Sequence, residues 1–169
     1  MRYVLIDRIV SLAPGRTLSG FKNVTAAEDL VSDEGRGRRA LPASMVLEAM
    51  AQGAGLLALA TSDGRSQPVL AKVQPFASYG DAVPGDQVRI DAALEDVRTE
   101  GCRARVTASI DGRPLADATV YLGFVALDDA QAAVMRAALE ETFPEVLAGA
   151  AHASGSGGVR EARPLGRMR

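Results

Sequence analysis

Apolar and polar positions alternate through two short runs near the start of the chain, "LIDRIVSL" and "TLSGFKNV", between Leu5 and Val24. "APGR" separates them, with Pro14 and Gly15 in turn positions, and the pattern predicts a β-hairpin. From Ala26 to Leu41 no period is sustained. That stretch begins acidic (Glu28, Asp29, Asp33, Glu34), turns basic in "GRGRR", and reads as a long loop, a kind of segment that is often functional. Ser44 to Thr61 is rich in Ala, Leu and Met, and Pro42 suits a first helical turn, so a helix of about five turns is expected. Its apolar residues wrap nearly all round, which marks a helix enclosed by other structure.

After "SDGRSQP", strands are predicted over Val69 to Val73, Gln87 to Val97, Gly101 to Ile110 and Leu115 to Leu127. Alternation in "RARVTASI" and the Asp111-Gly112 turn make the last two an antiparallel hairpin. Asp128 can cap a final amphipathic helix reaching about Thr142, with Ala132, Met135 and Leu139 on one face and Arg136 and Glu140 outside it. Beyond Gly149 the chain is small, Gly/Ser-rich and then Arg-rich, so a domain over 1–149 and a flexible tail over 150–169 are expected. One enclosed helix followed by long antiparallel strands predicts an α+β architecture, a curved sheet wrapped around a long central helix.

Composition narrows the function classes. A chain of 169 residues, 47% hydrophobic and 24% charged, suits one soluble globular domain. A formal net charge of -2 gives no overall bias toward nucleic acid. The single Cys102 excludes an internal disulfide framework and fits a reducing cytoplasm, and one cysteine with one histidine, His152, argues against a metal cluster. "MRYVLIDRIV" carries charges at Arg2, Asp7 and Arg8 and does not read as a targeting segment. Ala40 to Thr61 is apolar, but Glu48 and Gln52 interrupt it, so a core helix is expected there in place of a membrane span.

Glu48, in "MVLEAMAQ", is the position that asks for chemistry. Stripping water from an ionised carboxylate costs several kcal/mol unless a partner or a raised pKa compensates, so a carboxylate on such a helix either reaches water or has a task. Gln52 lies one turn on, at i+4, where its amide can orient the Glu48 carboxyl or simply sit on the helix surface; Ser44 and Gly55 share that face. Arg36, Arg38 and Arg39 follow glycines without a Lys-Ser/Thr, so they do not form a phosphate loop. They read either as solvated loop charge or as a docking patch for an acidic acyl carrier protein or the phosphates of coenzyme A.

The chain resembles the β-hydroxyacyl-acyl carrier protein dehydratases of fatty acid synthesis, a hot-dog-fold family. The resemblance runs from "VLIDRIVSLAPGRTLSGFKNVT" through "LPASMVLEAMAQGAG" to "VPGDQVRI" and the hairpin beyond, roughly Tyr3 to Leu127. Its signature combines Asp7-Arg8, Lys22-Asn23-Val24, the "EAMAQ" segment and Val83-Pro84-Gly85-Asp86. The resemblance implies a dimer with reaction tunnels at the subunit interface, where a histidine of one chain meets a helix-borne carboxylate of the other. Glu48 falls on the carboxylate. The histidine belongs in a "GHFPG"-like loop, and an ungapped count back from Glu48 puts it at Glu34, in "SDEGRGRRALP". Ala43 aligns with the glycine whose backbone N–H polarises the thioester carbonyl, and an alanine keeps that N–H at the helix N-terminus.

In the family's reaction the histidine takes the α-proton of a 3-hydroxyacyl thioester while the carboxylic acid helps the 3-hydroxyl leave as water. No cofactor takes part. Three readings follow for this chain. The first is a dehydratase-like lyase in fatty acid or polyketide-type synthesis, with Glu48 as acid and Glu34 or water as base. Two carboxylates in one dry tunnel push one pKa upward, which is a route to a usable base. The second is a non-catalytic acyl-binding subunit that pairs with itself or with an active homologue. The third is a thioesterase using Glu48 with Ala43 at the oxyanion position. Ser44 and Gln52 are expected beside the substrate, and side chains near Phe76 and Tyr79 to set tunnel depth.

Overall fold

Two helices and six strands succeed one another in the computed structural model, which describes residues 4–33, 37–144 and 146. The order is β1 (Arg8–Ala13), β2 (Thr17–Asn23), α1 (Ala43–Thr61), β3 (Ser66–Ser78), β4 (Gln87–Val97), β5 (Gly101–Ile110), β6 (Arg113–Ala126) and α2 (Asp129–Thr142). The strands form one antiparallel sheet ordered β1-β2-β4-β5-β6-β3. α1 leaves the β2 side, crosses the sheet and delivers the chain to β3 at the far edge, touching β2 through β6 on the way.

Alternation explains how the sheet receives the helix. Val88, Ile90 and Ala92 of β4, Cys102, Ala104, Val106 and Ala108 of β5, and Ala116, Ala118, Val120 and Leu122 of β6 are buried toward α1. Many of these side chains are alanine, and α1 answers with Ala49, Gly53, Ala54 and Ala58, so the two layers sit close. At Gly53 an added Cβ would come 3.1 Å from Ile90 Cγ2. The β5–β6 turn uses positive φ at both Asp111 (50°) and Gly112 (77°), the primed geometry that follows the twist of a hairpin.

The first hairpin, the β4 and β5 spans and the reach of α2 to Thr142 agree with the sequence pattern, and α1 and β3 differ in instructive ways. Pro42 occupies the N-cap of α1 and not its first turn; its carbonyl accepts the amides of Met45 (2.8 Å) and Val46 (3.1 Å). β3 is much longer than Val69 to Val73. It is an edge strand with no buried residue, paired only to β6, and it tolerates Pro68 and Pro75 because one side of an edge makes no ladder bonds. α1 is not enclosed all round in a single protomer: Ala43, Ser44 and Glu48 are exposed. Asp128 caps α2 as expected, through a reciprocal capping box with Gln131. The tail and His152 lie outside the described residues.

Candidate functional site

The family-signature residues separate into two groups once placed. Asp7, Asn23, Val24 and Val83–Asp86 meet at one junction. Asp7 Oδ2 accepts the Asn23 amide at 2.5 Å, Val24 exchanges backbone bonds of 2.9 Å with Gly85 and Asp86, and Asp86 Oδ2 accepts the Val83 amide at 2.8 Å. This junction ties the end of β2 to the turn before β4 and the approach to β1. It is scaffold, and the "EAMAQ" helix segment stands apart from it.

Glu48 and Gln52 stand one turn apart on α1, and Gln52 Nε2 donates to Glu48 Oε1 at 3.0 Å. The other end of the same amide is also used, because Gln52 Oε1 accepts the backbone N–H of Leu5 at 2.8 Å. Leu5 is 3% exposed, so this bond anchors Gln52 against the core and aims its N–H groups at the carboxylate. An amide fixed at both ends is a positioning device for an acid. Sequence spacing foretold the Glu48–Gln52 pair. Leu5 was not foreseen, since a backbone partner 47 residues away leaves no local signal.

The pair opens onto a groove of about 300 Å³. Gly55, Leu56 and Leu59 continue it along α1, Pro68 and Leu70 of β3 and Leu122 of β6 form its side, and Met135 and Phe143 reach it from the C-terminal helical region. Apart from Glu48, Gln52 and Gln67 the lining is apolar or glycine. Such a wall, with a few polar groups at one place, suits an acyl chain carrying a reactive head.

Other expected site residues sit elsewhere. Ala43 borders a separate shallow depression with Arg38 and Asp81, and neither it nor Ser44 lines the Glu48 groove of the same chain. Phe76 is packed against the core; Tyr79 is 61% exposed, its hydroxyl donates to Asp117, and neither residue lines the groove. Leu59, Met135 and Phe143 line the groove instead. Glu34 and Arg36 lie outside the described residues.

Arg38 and Arg39 are engaged by their own chain. Arg38 pairs with Asp81 at 2.5 Å. Arg39 donates to the Val31 carbonyl at 2.7 Å and the Ala26 carbonyl at 2.9 Å, holding the two ends of the 26–31 turn together. The neighbouring Lys22 is 5% exposed and ion-pairs with Glu28 at 2.8 Å. Partial burial pushes the Glu28 carboxyl upward, but hydrogen bonds from Lys22 and Thr25 outweigh it and hold the group below its ordinary value. Among the described residues of this loop, then, Arg38 and Arg39 act as fasteners.

A helix laid across an antiparallel sheet, with one positioned carboxylate at an apolar groove, defines a hot-dog acyl-thioester protein. Comparison with known proteins agrees. Residues 1–121 match the FabA-like domain family. The chain is 33% identical over 124 residues to the 3-hydroxyacyl-acyl-carrier-protein dehydratase FabZ of Klebsiella pneumoniae subsp. pneumoniae, covering 70% of this chain and 80% of that one. The protein belongs to the FabA-like family of hot-dog dehydratases. Two solved structures share the fold. The dehydratase heterocomplex ApeI:P from Xenorhabdus doucetiae matches with a TM-score of 0.62 at 14% identity, over 76% of this chain and 86% of that one. A hypothetical thioesterase with coenzyme A from Streptococcus pneumoniae TIGR4 matches with a TM-score of 0.60 at 12% identity, over 72% and 90%.

Proposed function

We propose that this protein binds 3-hydroxyacyl thioesters of acyl carrier protein or coenzyme A and serves their dehydration in fatty acid or polyketide-type synthesis in the cytoplasm. The observation that carries this reading is Glu48 at the rim of an apolar groove, held by a Gln52 amide that is itself tied to Leu5. In the elimination a base removes the α-proton, the electron pair forms the α,β double bond, and the 3-hydroxyl departs as water with a proton from Glu48. Residues 1–151 contain no histidine, so the base is Glu34 or a water molecule. The helix N-terminus at Ala43 receives the thioester carbonyl.

Glu48 and Ala43 border different depressions of one chain, which favours a paired arrangement in which each protomer completes the other's site. The 13-residue edge strand β3, with Val69 and Leu70 each 46% exposed, is the surface such a pairing would use. The partner is a second copy or a homologous hot-dog chain. A second reading, a non-catalytic acyl-binding subunit of a heteromeric dehydratase, is favoured by the absence of histidine from residues 1–151.

Incubating the purified protein with a 3-hydroxyacyl thioester and with a saturated acyl thioester separates the readings. Enoyl product marks a lyase, free thiol from either substrate a thioesterase, and retained binding without product the subunit. Glu48→Gln keeps shape and removes the titratable proton, and it is expected to abolish whichever activity is present. Full activity in that variant refutes the role given to Glu48.

A further inference from the structure

A recess of different chemistry lies on the face of the sheet turned away from α1. Thr107 and Ser109 of β5 and Pro114 and Asp117 of β6 line it, with Gly112 of the turn between these strands, and Tyr79 closes one side. Tyr79 is fixed at two points: its hydroxyl donates to Asp117, and its backbone N–H donates to the Leu115 carbonyl at 2.8 Å. The residue nevertheless stays 61% exposed. An aromatic ring held still beside hydroxyls and a carboxylate suits a planar base. The ring offers a surface for stacking, and the carboxylate accepts from an exocyclic amino group or a ribose hydroxyl.

This recess adjoins the start of α1. Tyr79 and Asp81 are two residues apart in the chain, so their Cα atoms are separated by at most about 7 Å. Asp81 borders the depression at Ala43, and the Leu41 N–H donates to the Ala82 carbonyl at 2.8 Å, which fixes this segment beside the helix N-terminus. A carrier arm that leaves Ala43 along Asp81 meets Tyr79 next.

Charge bears on which carrier that is. Asp81, Asp111 and Asp117 border or adjoin the two features together with Arg38 and Arg113. The Arg38 side chain is ion-paired yet 60% exposed. Arg113, between the lining residues Gly112 and Pro114, is exposed and has no acidic partner among the described residues. Two arginines can each meet a phosphate. A broad, strongly acidic protein surface would instead be set against three carboxylates.

We propose that this recess is the nucleotide subsite of a coenzyme A thioester, with Tyr79 stacking on the adenine and Arg113 and Arg38 meeting the phosphates. Coenzyme A, and not acyl carrier protein, is then the carrier this chain prefers. This inference rests on the reading of Ala43 as the thioester end.

The test is calorimetric titration of the full chain with octanoyl-coenzyme A, octanoyl-pantetheine and the free adenosine bisphosphate moiety of coenzyme A. Octanoyl-coenzyme A is expected to bind about tenfold more tightly than octanoyl-pantetheine, the size of one base stacked on an aromatic side chain. Tyr79→Ala is expected to abolish that gap and the binding of the bisphosphate while leaving octanoyl-pantetheine unchanged. Tyr79→Phe keeps the ring and is expected to retain both. Arg113→Ala is expected to weaken the bisphosphate about threefold, as for an exposed ion pair. Equal affinity for the two thioesters overturns the subsite, as does an undiminished gap in Tyr79→Ala. So does octanoyl-acyl carrier protein binding more tightly than octanoyl-coenzyme A. If neither thioester binds but the bisphosphate does, and Tyr79→Ala loses it, the subsite stands and the acyl reading falls. If nothing binds, both fall.

Discussion

Replacing Gln52 by leucine tests the geometry on which the site depends. The side chain is close in size, so the change removes the hydrogen bonds to Leu5 and Glu48 with little change in packing. The Leu5 N–H loses the acceptor it has at 2.8 Å, in a residue only 3% exposed, and a buried donor left unsatisfied costs about 1–3 kcal/mol. Glu48 is exposed and recovers water in place of Nε2, so the second bond adds at most about 0.5 kcal/mol. The sum is about 2 kcal/mol, which for a domain of this size lowers Tm by roughly 4–8 °C. Scanning calorimetry at pH 7 and matched protein concentration reads it. Glu48→Gln, which keeps an acceptor facing Gln52, is expected to stay within about 0.5 kcal/mol of wild type. Gln52→Glu separates the two bonds: it keeps the acceptor for Leu5 but sets one carboxylate against another. Its cost of about 1 kcal/mol is expected at pH 7 and to be relieved when Glu48→Gln is added. If Gln52→Leu melts within about 1 °C of wild type, the Leu5–Gln52–Glu48 chain of bonds does not hold the site.

Three further outcomes follow from other parts of the fold. Gly53→Val inserts atoms where a Cβ alone is already 3.1 Å from Ile90, and a loss of about 1–3 kcal/mol in urea unfolding is expected; an unchanged midpoint would show that α1 stands farther from the sheet. Glu28 has a lowered carboxyl pKa, so its contribution is present above the ordinary carboxylate value and lost as pH falls through the folded one. Glu28→Gln is therefore expected to be less stable than wild type at pH 7 and to match it near pH 3, with equal gaps at both pH values counting against the Lys22–Glu28 pair. Burial pushes the Cys102 thiol up to about 11, and iodoacetamide at pH 8 is expected to leave the native protein unmodified and to add one label in urea, as read by mass.

What could be read from the sequence depended on whether one face of an element is buried. β4 and β5 alternate cleanly because one side meets α1 and the other meets water, and their predicted bounds coincide with the structure. β3 buries nothing, so no period marks it; its length comes from pairing with β6, and only its most apolar stretch was legible. Glu48 and Gln52 announced themselves as polar breaks one turn apart in an apolar helix. The part that Met135 and Phe143 take in lining the groove did not, because Met135 read as an ordinary amphipathic position and Phe143 falls just past the expected helix. Arg38 and Arg39 looked available for a partner, yet their acceptors are Asp81 and loop carbonyls that sequence proximity does not reveal.

The bond from Leu5 to Gln52 makes the leading segment of the chain part of the mounting of its acid group. Anything that tugs on that segment, such as a fused tag, a trimmed start or a protein seated nearby, is transmitted through one amide to Glu48. Preparations differing only in their first few residues should therefore be compared for thermal stability as well as for yield.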